Sequence, residues 1–225
     1  MKKRTVFIGA ILSLIPLVHP LLIKTGVVLS SSAVMFFLPE KVNAENSTFY
    51  FNRAFEKGNN GDHYGAISDF TKAIEINPSE GAYYNRGWNK AKLKDYYGAI
   101  SDYTKAIEID PNFDSAYNNR GDAKSNLKDH YGAISDYTKA IELDPKYSNA
   151  YYNRGNSKRR IKDYYGAISD YTKAIEINPN YYQAYGNRGL TKLDIGDLKG
   201  ACSDWRKTDS LFPNTPAAKW VRDQC

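Results

Sequence analysis

The side chains best suited to acid–base or metal chemistry are few in this sequence, and they are scattered. His63 and His130 each stand two residues before the phrase Gly-Ala-Ile-Ser-Asp, so they occupy equivalent places in a repeated unit. If successive helical layers are about 8–10 Å apart, two units separate these histidines by on the order of 20 Å. We therefore expect no metal site and no catalytic acid–base pair around them.

The glycine-rich segment is not suited to catalysis either. Residues 57–62, Lys-Gly-Asn-Asn-Gly-Asp, are interpreted as a turn between helices and not as a phosphate-binding loop. The repeated Asp-Tyr-Tyr is interpreted as turn and packing residues and not as a set of catalytic tyrosines. The sequence thus predicts a protein that is not an enzyme and that uses no cofactor.

One phrase dominates the chain. Gly-Ala-Ile-Ser-Asp-Tyr-Thr-Lys-Ala-Ile-Glu occurs at residues 98–108, 132–142 and 166–176, and with one Tyr-to-Phe change at 65–75. A fixed period is typical of a solenoid, whereas an active site is assembled once from unlike parts. The period of 33 or 34 residues is marked by Asp62, Asp95, Asp129, Asp163 and Asp197, and by Pro78, Pro111, Pro145, Pro179 and Pro213.

Each unit is predicted to form two helices. Asp129 can cap the second helix of its unit, and Pro145 ends that helix because proline cannot continue it. A glycine recurs inside the first helix, where it costs on the order of 1 kcal/mol relative to alanine, so close packing against a large ring is expected there. The glycines are Gly87, Gly121, Gly155 and Gly189, and the rings are Tyr103, Tyr137 and Tyr171.

These features resemble the tetratricopeptide repeat family. With Asp114 counted as position 1, the family pattern falls on Tyr117, Gly121, Ala133, Tyr137, Ala140 and Pro145. The resemblance implies an all-α fold, a right-handed α-solenoid of about five helix-turn-helix units with a C-terminal capping helix. The units would be residues 47–79, 80–113, 114–147, 148–181 and 182–215, and the capping helix 216–225, with Thr215 as its N-cap.

A charge pair recurs at a fixed spacing. Position 7 is arginine and the residue 16 places later is aspartate in every unit, as in Arg120 and Asp136. Because the two positions lie on facing helices, we expect an ion pair in each unit that fixes the register of the helix pair. The alternative is two solvated charges.

A column of asparagines is the principal candidate for ligand binding. The resemblance implies that position 6, asparagine in every unit, lines the concave groove. An amide offers both a donor and an acceptor, so it can satisfy the backbone of an extended peptide without reading its sequence. The alternative is that these amides only join neighbouring first helices. The column is Asn52, Asn85, Asn119, Asn153 and Asn187.

Groove positions that vary are expected to supply specificity. Positions 5 and 9 are aromatic toward the N-terminal end and polar in the middle, and aromatic side chains suit binding hot spots. The resemblance therefore predicts a scaffold or adaptor that binds an extended peptide segment of a partner protein. The alternative is a self-associating structural protein or a membrane-tethered assembly factor of the cell envelope. The aromatic candidates are Phe51, Tyr84, Tyr152, Phe55 and Trp88.

Residues 1–44 have the pattern of an export leader. A basic start precedes apolar stretches at 6–23 and 27–38, and Val42 and Ala44 are small enough for signal peptidase, so we predict cleavage after Ala44. The alternative is a membrane tether through residues 6–38, since 6–23 is just long enough to span a bilayer. Either way, residues 45–225 are expected in the periplasm, a lumen or the extracellular space.

Charge and cysteine content complete these expectations. Residues 1–44 hold five of the 31 Lys and Arg and one of the 25 Asp and Glu, so the formal charge of +6 falls to about +2 without them. This balance does not favour nucleic acid as a partner. The densest basic cluster, residues 157–162, is interpreted as a solvated face. Cys202 and Cys225 are the two cysteines, and in an exported chain they predict a disulfide.

Overall fold

The computed structural model describes residues 46–213 and 216–225, which contain helices and turns and no strand. Ten helices form five consecutive pairs, numbered 1 to 5, and an eleventh follows them. The helices are α1 (46–59), α2 (His63–Ile76), α3 (Glu80–Lys92), α4 (Tyr96–Ile109), α5 (Asp114–Asn126), α6 (His130–Leu143), α7 (Ser148–Arg160), α8 (Tyr164–Ile177), α9 (Tyr182–Asp194), α10 (Leu198–Leu211) and α11 (Pro216–Gln224). The predicted all-α solenoid is confirmed.

The stacking of the pairs defines two surfaces. From α2 to α11 each helix packs against the next one in the chain. The first helices α3, α5, α7 and α9 also touch one another, whereas the second helices of the described pairs make no contact of that extent. First helices therefore lie on the inner side of the stack. The surface formed by α1, α3, α5, α7 and α9 is called the concave face below.

Each second helix begins at the predicted aspartate cap. The carboxylate of Asp129 accepts a hydrogen bond from the backbone N–H of Gly132, and the other four caps repeat this bond at 2.8–3.0 Å. A Cβ atom at Gly132 would collide with that carboxylate. The cap therefore dictates the glycine three residues after each aspartate, which is why the repeated phrase begins with glycine.

Small residues and rings form the interior of each pair. The rings of Tyr103, Tyr137 and Tyr171 are fully buried. A Cβ atom added at Gly121 would lie 2.7 Å from Cε1 of Tyr137, so the glycine permits the close approach that the sequence predicts. Pair 1 has Ala54 in place of the glycine, and Ala54 packs with the buried ring of Phe70, which lacks the hydroxyl.

The second tyrosine of each Asp-Tyr-Tyr is exposed, contrary to the prediction that both tyrosines of the motif are turn and packing residues. The first, as in Tyr96, packs against the interior of its pair, but the second points away from it. These second tyrosines, Tyr97 and Tyr165, are 76–77% exposed, because they lie on the outer side of the first turn of the second helix. Packing is therefore the wrong interpretation for half of the motif. With the equivalent residues of pairs 1 and 3, which follow a histidine, they form a row: Tyr64, Tyr97, Tyr131 and Tyr165.

The C-terminal helix covers the last pair. Trp220 and Val221 of α11 pack against the buried Trp205, and the two tryptophan rings have centroids 5.3 Å apart. Cys202 in α10 and Cys225 after α11 are joined by a disulfide. The predicted N-cap Thr215, the predicted cleavage point and the predicted tether at 6–38 lie outside the described residues. Among the described helices, none is long and apolar enough to cross a membrane.

Candidate functional site

The recurrent charge pair forms in all five helix pairs. In pair 3, Arg120 donates to both carboxylate oxygens of Asp136, at 3.0 and 2.7 Å. The other four pairs show the same bidentate geometry, within 2.6–2.9 Å. The aspartates are only 2–4% exposed, so the alternative of solvated charges is wrong.

Each of these carboxylates has a second cation that the sequence interpretation missed. In pair 3 it is Lys124, whose Nζ lies 2.7 Å from Asp136, and the arginine also donates to Thr104 of the preceding pair at 3.1 Å. The sequence does contain a pattern that indicates this second cation, because every such arginine is followed four residues later by lysine. This charge ladder comprises Arg53, Asp69, Lys57, Arg86, Asp102, Lys90, Arg120, Asp136, Lys124, Arg154, Asp170, Lys158, Arg188, Asp204 and Lys192.

The charge ladder stabilises the ionised form of its carboxylates. Hydrogen bonds from Arg53, with a further contribution from Lys57, lower the pKa of Asp69 from 3.8 to about 2. The guanidinium of Arg120 also lies over the ring of Tyr117, 5.4 Å from its centroid, and three other pairs repeat this stacking. The ladder is therefore a structural device that holds each pair together and links it to the preceding pair.

The N-terminal end of the concave face carries an aromatic cavity. Phe55, Tyr84 and Trp88 line a space of about 150 Å³ between α1 and α3, together with Asn85. Lys92 lies over the ring of Trp88 at 4.7 Å. The structure thus brings together three of the five aromatic candidates and one asparagine of the column.

The other two aromatic candidates contribute mainly to packing. Phe51 contacts the buried ring of Phe70 edge-on, with centroids 5.4 Å apart. Tyr152 packs against Tyr181 at 4.9 Å, and its hydroxyl accepts a hydrogen bond from Asn187 at 3.1 Å. Both side chains remain partly exposed, so each contributes only an edge to the concave face.

The asparagine column is engaged between neighbouring first helices. Asn119 donates to the hydroxyl of Tyr84 in the preceding pair at 2.9 Å, and Asn153 donates to Asn118 at 3.2 Å. Asn85 instead donates to the carbonyl of Gly81 in its own helix at 2.8 Å. These contacts correspond to the structural alternative for the column. Each of these three uses one amide hydrogen and keeps the other, whereas Asn187 uses both, toward Tyr152 and Asn156.

The middle of the concave face contains an acidic residue at position 9. Asp122 accepts a hydrogen bond from the hydroxyl of Tyr137 at 2.6 Å. Burial raises the pKa of this carboxyl from 3.8 to about 6, although the bond from Tyr137 opposes the shift. The equivalent residue of pair 4 is Asn156, which accepts from Tyr171 at 2.8 Å. Position 9 was expected to vary, but the tyrosine hydroxyl beneath it was not anticipated.

The C-terminal part of the concave face is basic. Arg159 and Arg160 line a cavity of about 280 Å³ together with Asn156 and Asn187. Arg159 is bound to Asp194 of the next pair at 2.8 Å, and Lys158 belongs to the charge ladder. The interpretation of residues 157–162 as a solvated face is therefore wrong for Lys158 and Arg159.

In the described part of the chain, no group of acidic, histidine and cysteine side chains has the geometry of a metal site.

Comparisons with known proteins agree with this geometry. Family models described as tetratricopeptide repeat match residues 47–80, 81–113, 115–147, 148–181 and 170–202. No curated protein sequence matches the chain.

Solved structures share the architecture. A crystal structure of MamA protein has 25% sequence identity and a TM-score of 0.69, covering 80% of this chain and 97% of its own. YrrB, described as a TPR protein with an unusual peptide-binding site, has 20% identity and a TM-score of 0.68, covering 83% and 97%. The pilF protein of Pseudomonas aeruginosa has 19% identity and a TM-score of 0.70, covering 81% and 88%.

Proposed function

Because the chain belongs to the tetratricopeptide repeat family and is a protein-interaction scaffold, we propose that it binds an extended segment of a partner protein along the concave face. The observation that carries this proposal is the aromatic cavity of Phe55, Tyr84 and Trp88, which opens on the same face as the asparagine column. The structural likeness to YrrB, described as having a peptide-binding site, supports the same class of ligand.

The partly satisfied amides suit a peptide backbone. Asn153 and Asn187 are fixed in orientation by bonds to the preceding pair, at 3.2 and 3.1 Å. Asn153 retains a second amide hydrogen, whereas Asn187 uses both of its own, the second toward Asn156 at 2.8 Å. Each carboxamide oxygen has two acceptor positions. A segment lying across α7 and α9 can therefore form hydrogen bonds with side chains that lose little freedom on binding, which reduces the entropic cost of association.

The aromatic cavity supplies the apolar part of the interaction. Its volume of about 150 Å³ accommodates one side chain and not a whole helix. Trp88 and Tyr84 are the residue types that most often form hot spots, and they lie in a concave position where water is excluded on binding. We expect an aromatic or large aliphatic side chain of the partner to enter this cavity.

The test is a selection from a random dodecapeptide library displayed on phage, with the full-length protein as bait. An enriched peptide is then synthesised and titrated by fluorescence anisotropy. Trp88→Ala is expected to weaken binding at least about tenfold, the range of a hot-spot residue. The matched control is Tyr97→Ala, which also truncates an aromatic residue but lies in the exposed row outside the concave face.

The outcomes are distinct. Loss of affinity with Trp88→Ala and unchanged affinity with Tyr97→Ala support binding on the concave face. Equal effects of the two substitutions, or an effect of Tyr97→Ala alone, overturn it. Melting temperatures of both variants within a few degrees of the native protein exclude misfolding as the reason for lost binding.

Self-association is the second candidate, and the exposed tyrosines favour it. Tyr64, Tyr97, Tyr131 and Tyr165 recur once in each of pairs 1 to 4 and are largely exposed. Contiguous exposed aromatic surface marks interaction sites in soluble proteins. Light scattering tests this candidate: a dimer that dissociates with Tyr97→Ala/Tyr131→Ala supports it, and a monomer at tens of micromolar rejects it.

Export of residues 45–225 is part of the proposal. The disulfide between Cys202 and Cys225 supports it, since such bonds persist in oxidising compartments. Mass spectrometry of the N-terminus in the source cell tests it. A mature chain that begins at Glu45 is expected, whereas an intact Met1 on a membrane-bound protein would favour the tether.

A further inference from the structure

Asp122 is a carboxylate without a cation. It lies on α5 at the centre of the concave face, and its bond in the structure is the 2.6 Å hydrogen bond from Tyr137. No described lysine, arginine or histidine lies within ion-pair distance of it, whereas every aspartate of the charge ladder has both an arginine and a lysine. Asp122 is partly buried, and a carboxylate withdrawn from water usually has a cationic partner or a metal.

Tyr137 is the tyrosine in hydrogen-bond contact with this carboxylate. Burial raises the pKa of five tyrosine hydroxyls in this part of the stack, and the negative charge of Asp122 raises it further in each. They come from α3, α4 and α6 and from the loops that precede α7 and α9: Tyr84, Tyr103, Tyr137, Tyr147 and Tyr181.

This environment favours one kind of ligand group. Because no described cation lies within ion-pair distance of Asp122, a positively charged group of a ligand would be attracted to it. An apolar side chain placed here would remove the remaining water from Asp122 without replacing it, which is unfavourable. An acidic side chain would be repelled. A lysine or arginine side chain is therefore the complementary group, since it would provide the charge partner that the charge ladder provides elsewhere.

We propose that Asp122 forms a specificity site for one lysine or arginine side chain of the bound segment. The site rests on the proposed function, because it lies on the concave face between the aromatic cavity and the asparagines of α7 and α9. A bound segment would thus present an apolar side chain to pairs 1 and 2 and a cationic side chain to pair 3.

The test uses the random dodecapeptide library against the full-length native protein and against Asp122→Asn. Asparagine preserves the size of the side chain and can still accept from Tyr137, so the variant is expected to fold, and its melting temperature verifies this. Native bait is expected to enrich lysine or arginine at one position of the aligned peptides, and the variant is expected to lose that preference. Changing that residue of an enriched peptide to glutamine should weaken native binding about tenfold or more, and binding to the variant less than twofold.

Each result is decisive. A cationic position that disappears with Asp122→Asn supports the site. Enrichment of peptides with no cationic position, or with one that persists in the variant, overturns the site and leaves peptide binding on the concave face intact. Failure of both baits to enrich any peptide overturns the proposed function and this inference with it.

Discussion

Two aspartates of helix pair 3 have opposite environments. Asp136 on α6 is bound by Arg120 and Lys124 at 2.7 Å each, whereas Asp122 on α5 has one hydrogen bond, from Tyr137. Both are shielded from water, so both bear a desolvation cost. Among the described residues, cations offset the desolvation cost of Asp136 but not that of Asp122. The comparison indicates that the charge ladder serves the fold, while the concave face keeps a polar group available to a ligand.

The same contrast extends over the whole stack. The charge ladder repeats without change in all five pairs, as a device for register must. Position 9 of the concave face differs in every pair, from Phe55 and Trp88 through Asp122 to Asn156 and Leu190. Uniform residues therefore stabilise each unit, and variable residues distinguish one part of the concave face from another.

The largest effect is expected from removing a carboxylate of the charge ladder. Asp136→Ala leaves Arg120 and Lys124 largely buried and unpaired, which should lower the free energy of unfolding by about 3–5 kcal/mol. Urea denaturation followed by circular dichroism measures it. Asp122→Asn is the matched control on the same pair and should not destabilise the protein at pH 7. Losses of similar size in the two variants would show that Asp136 and Asp122 do not differ in their contribution to stability.

The pH dependence of stability should differ in sign between the two regions. The pKa of Asp122 is raised to about 6, so its contribution is fully present below pH 3.8 and is lost as the pH rises through 6. Relative to Asp122→Asn, the native protein should lose roughly 2–3 kcal/mol of unfolding free energy between pH 4 and pH 7.

Asp69 provides the opposite case. Its pKa is lowered to about 2, so its contribution is present above pH 3.8 and is lost as the pH falls through 2. Urea titrations at several pH values on native, Asp122→Asn and Asp69→Asn proteins measure both trends. Parallel curves for native protein and Asp122→Asn would show that Asp122 is as well solvated as a surface carboxylate.

A smaller effect is expected from the hydroxyl beneath Asp122. Tyr137→Phe removes the 2.6 Å donor and should cost about 1–2 kcal/mol at pH 7, where the carboxylate is charged. At pH 4 the carboxyl is protonated, and the cost should shrink. Thermal unfolding at the two pH values measures the difference. A cost independent of pH would mean that the hydroxyl serves packing and not the carboxylate.

The smallest stability effect is expected from the asparagine column. Asn153→Ala removes a 3.2 Å bond to the buried Asn118 and should cost about 1 kcal/mol. Its effect on an enriched peptide should be larger, at least about fivefold in affinity. If stability falls sharply while peptide affinity is unchanged, the column is only an inter-helix contact.

The sequence predicts the repeating parts of the structure well. The aspartate caps, the glycines facing Tyr103 and Tyr137, and the bidentate arginine–aspartate pairs each follow from residue types at a fixed spacing, and each is confirmed. Such features are local to one unit, so the period alone locates them.

Hydrogen bonds that do not recur in every unit were harder to predict. The donation of Asn119 to Tyr84 depends on how neighbouring pairs are rotated against each other, which the period does not determine. The hydrogen bond from Tyr137 to Asp122 lies within pair 3 and was missed because position 9 varies from unit to unit. The exposure of Tyr97 was misjudged for a local reason: adjacent residues of a helix are about 100° apart around its axis, so Tyr96 packs inward while Tyr97 faces solvent.

The most direct test of the account maps where a library-selected peptide contacts the full-length protein, by amide hydrogen exchange with and without saturating peptide. If the peptide binds the concave face, we expect slower amide exchange in α3, α5, α7 and α9 and at the turns that flank the concave face. Exchange in α4, α6 and α8 is expected to be unchanged. Protection confined to the second helices, or to the segments that carry Tyr97 and Tyr131, would contradict it and place the binding surface outside the concave face.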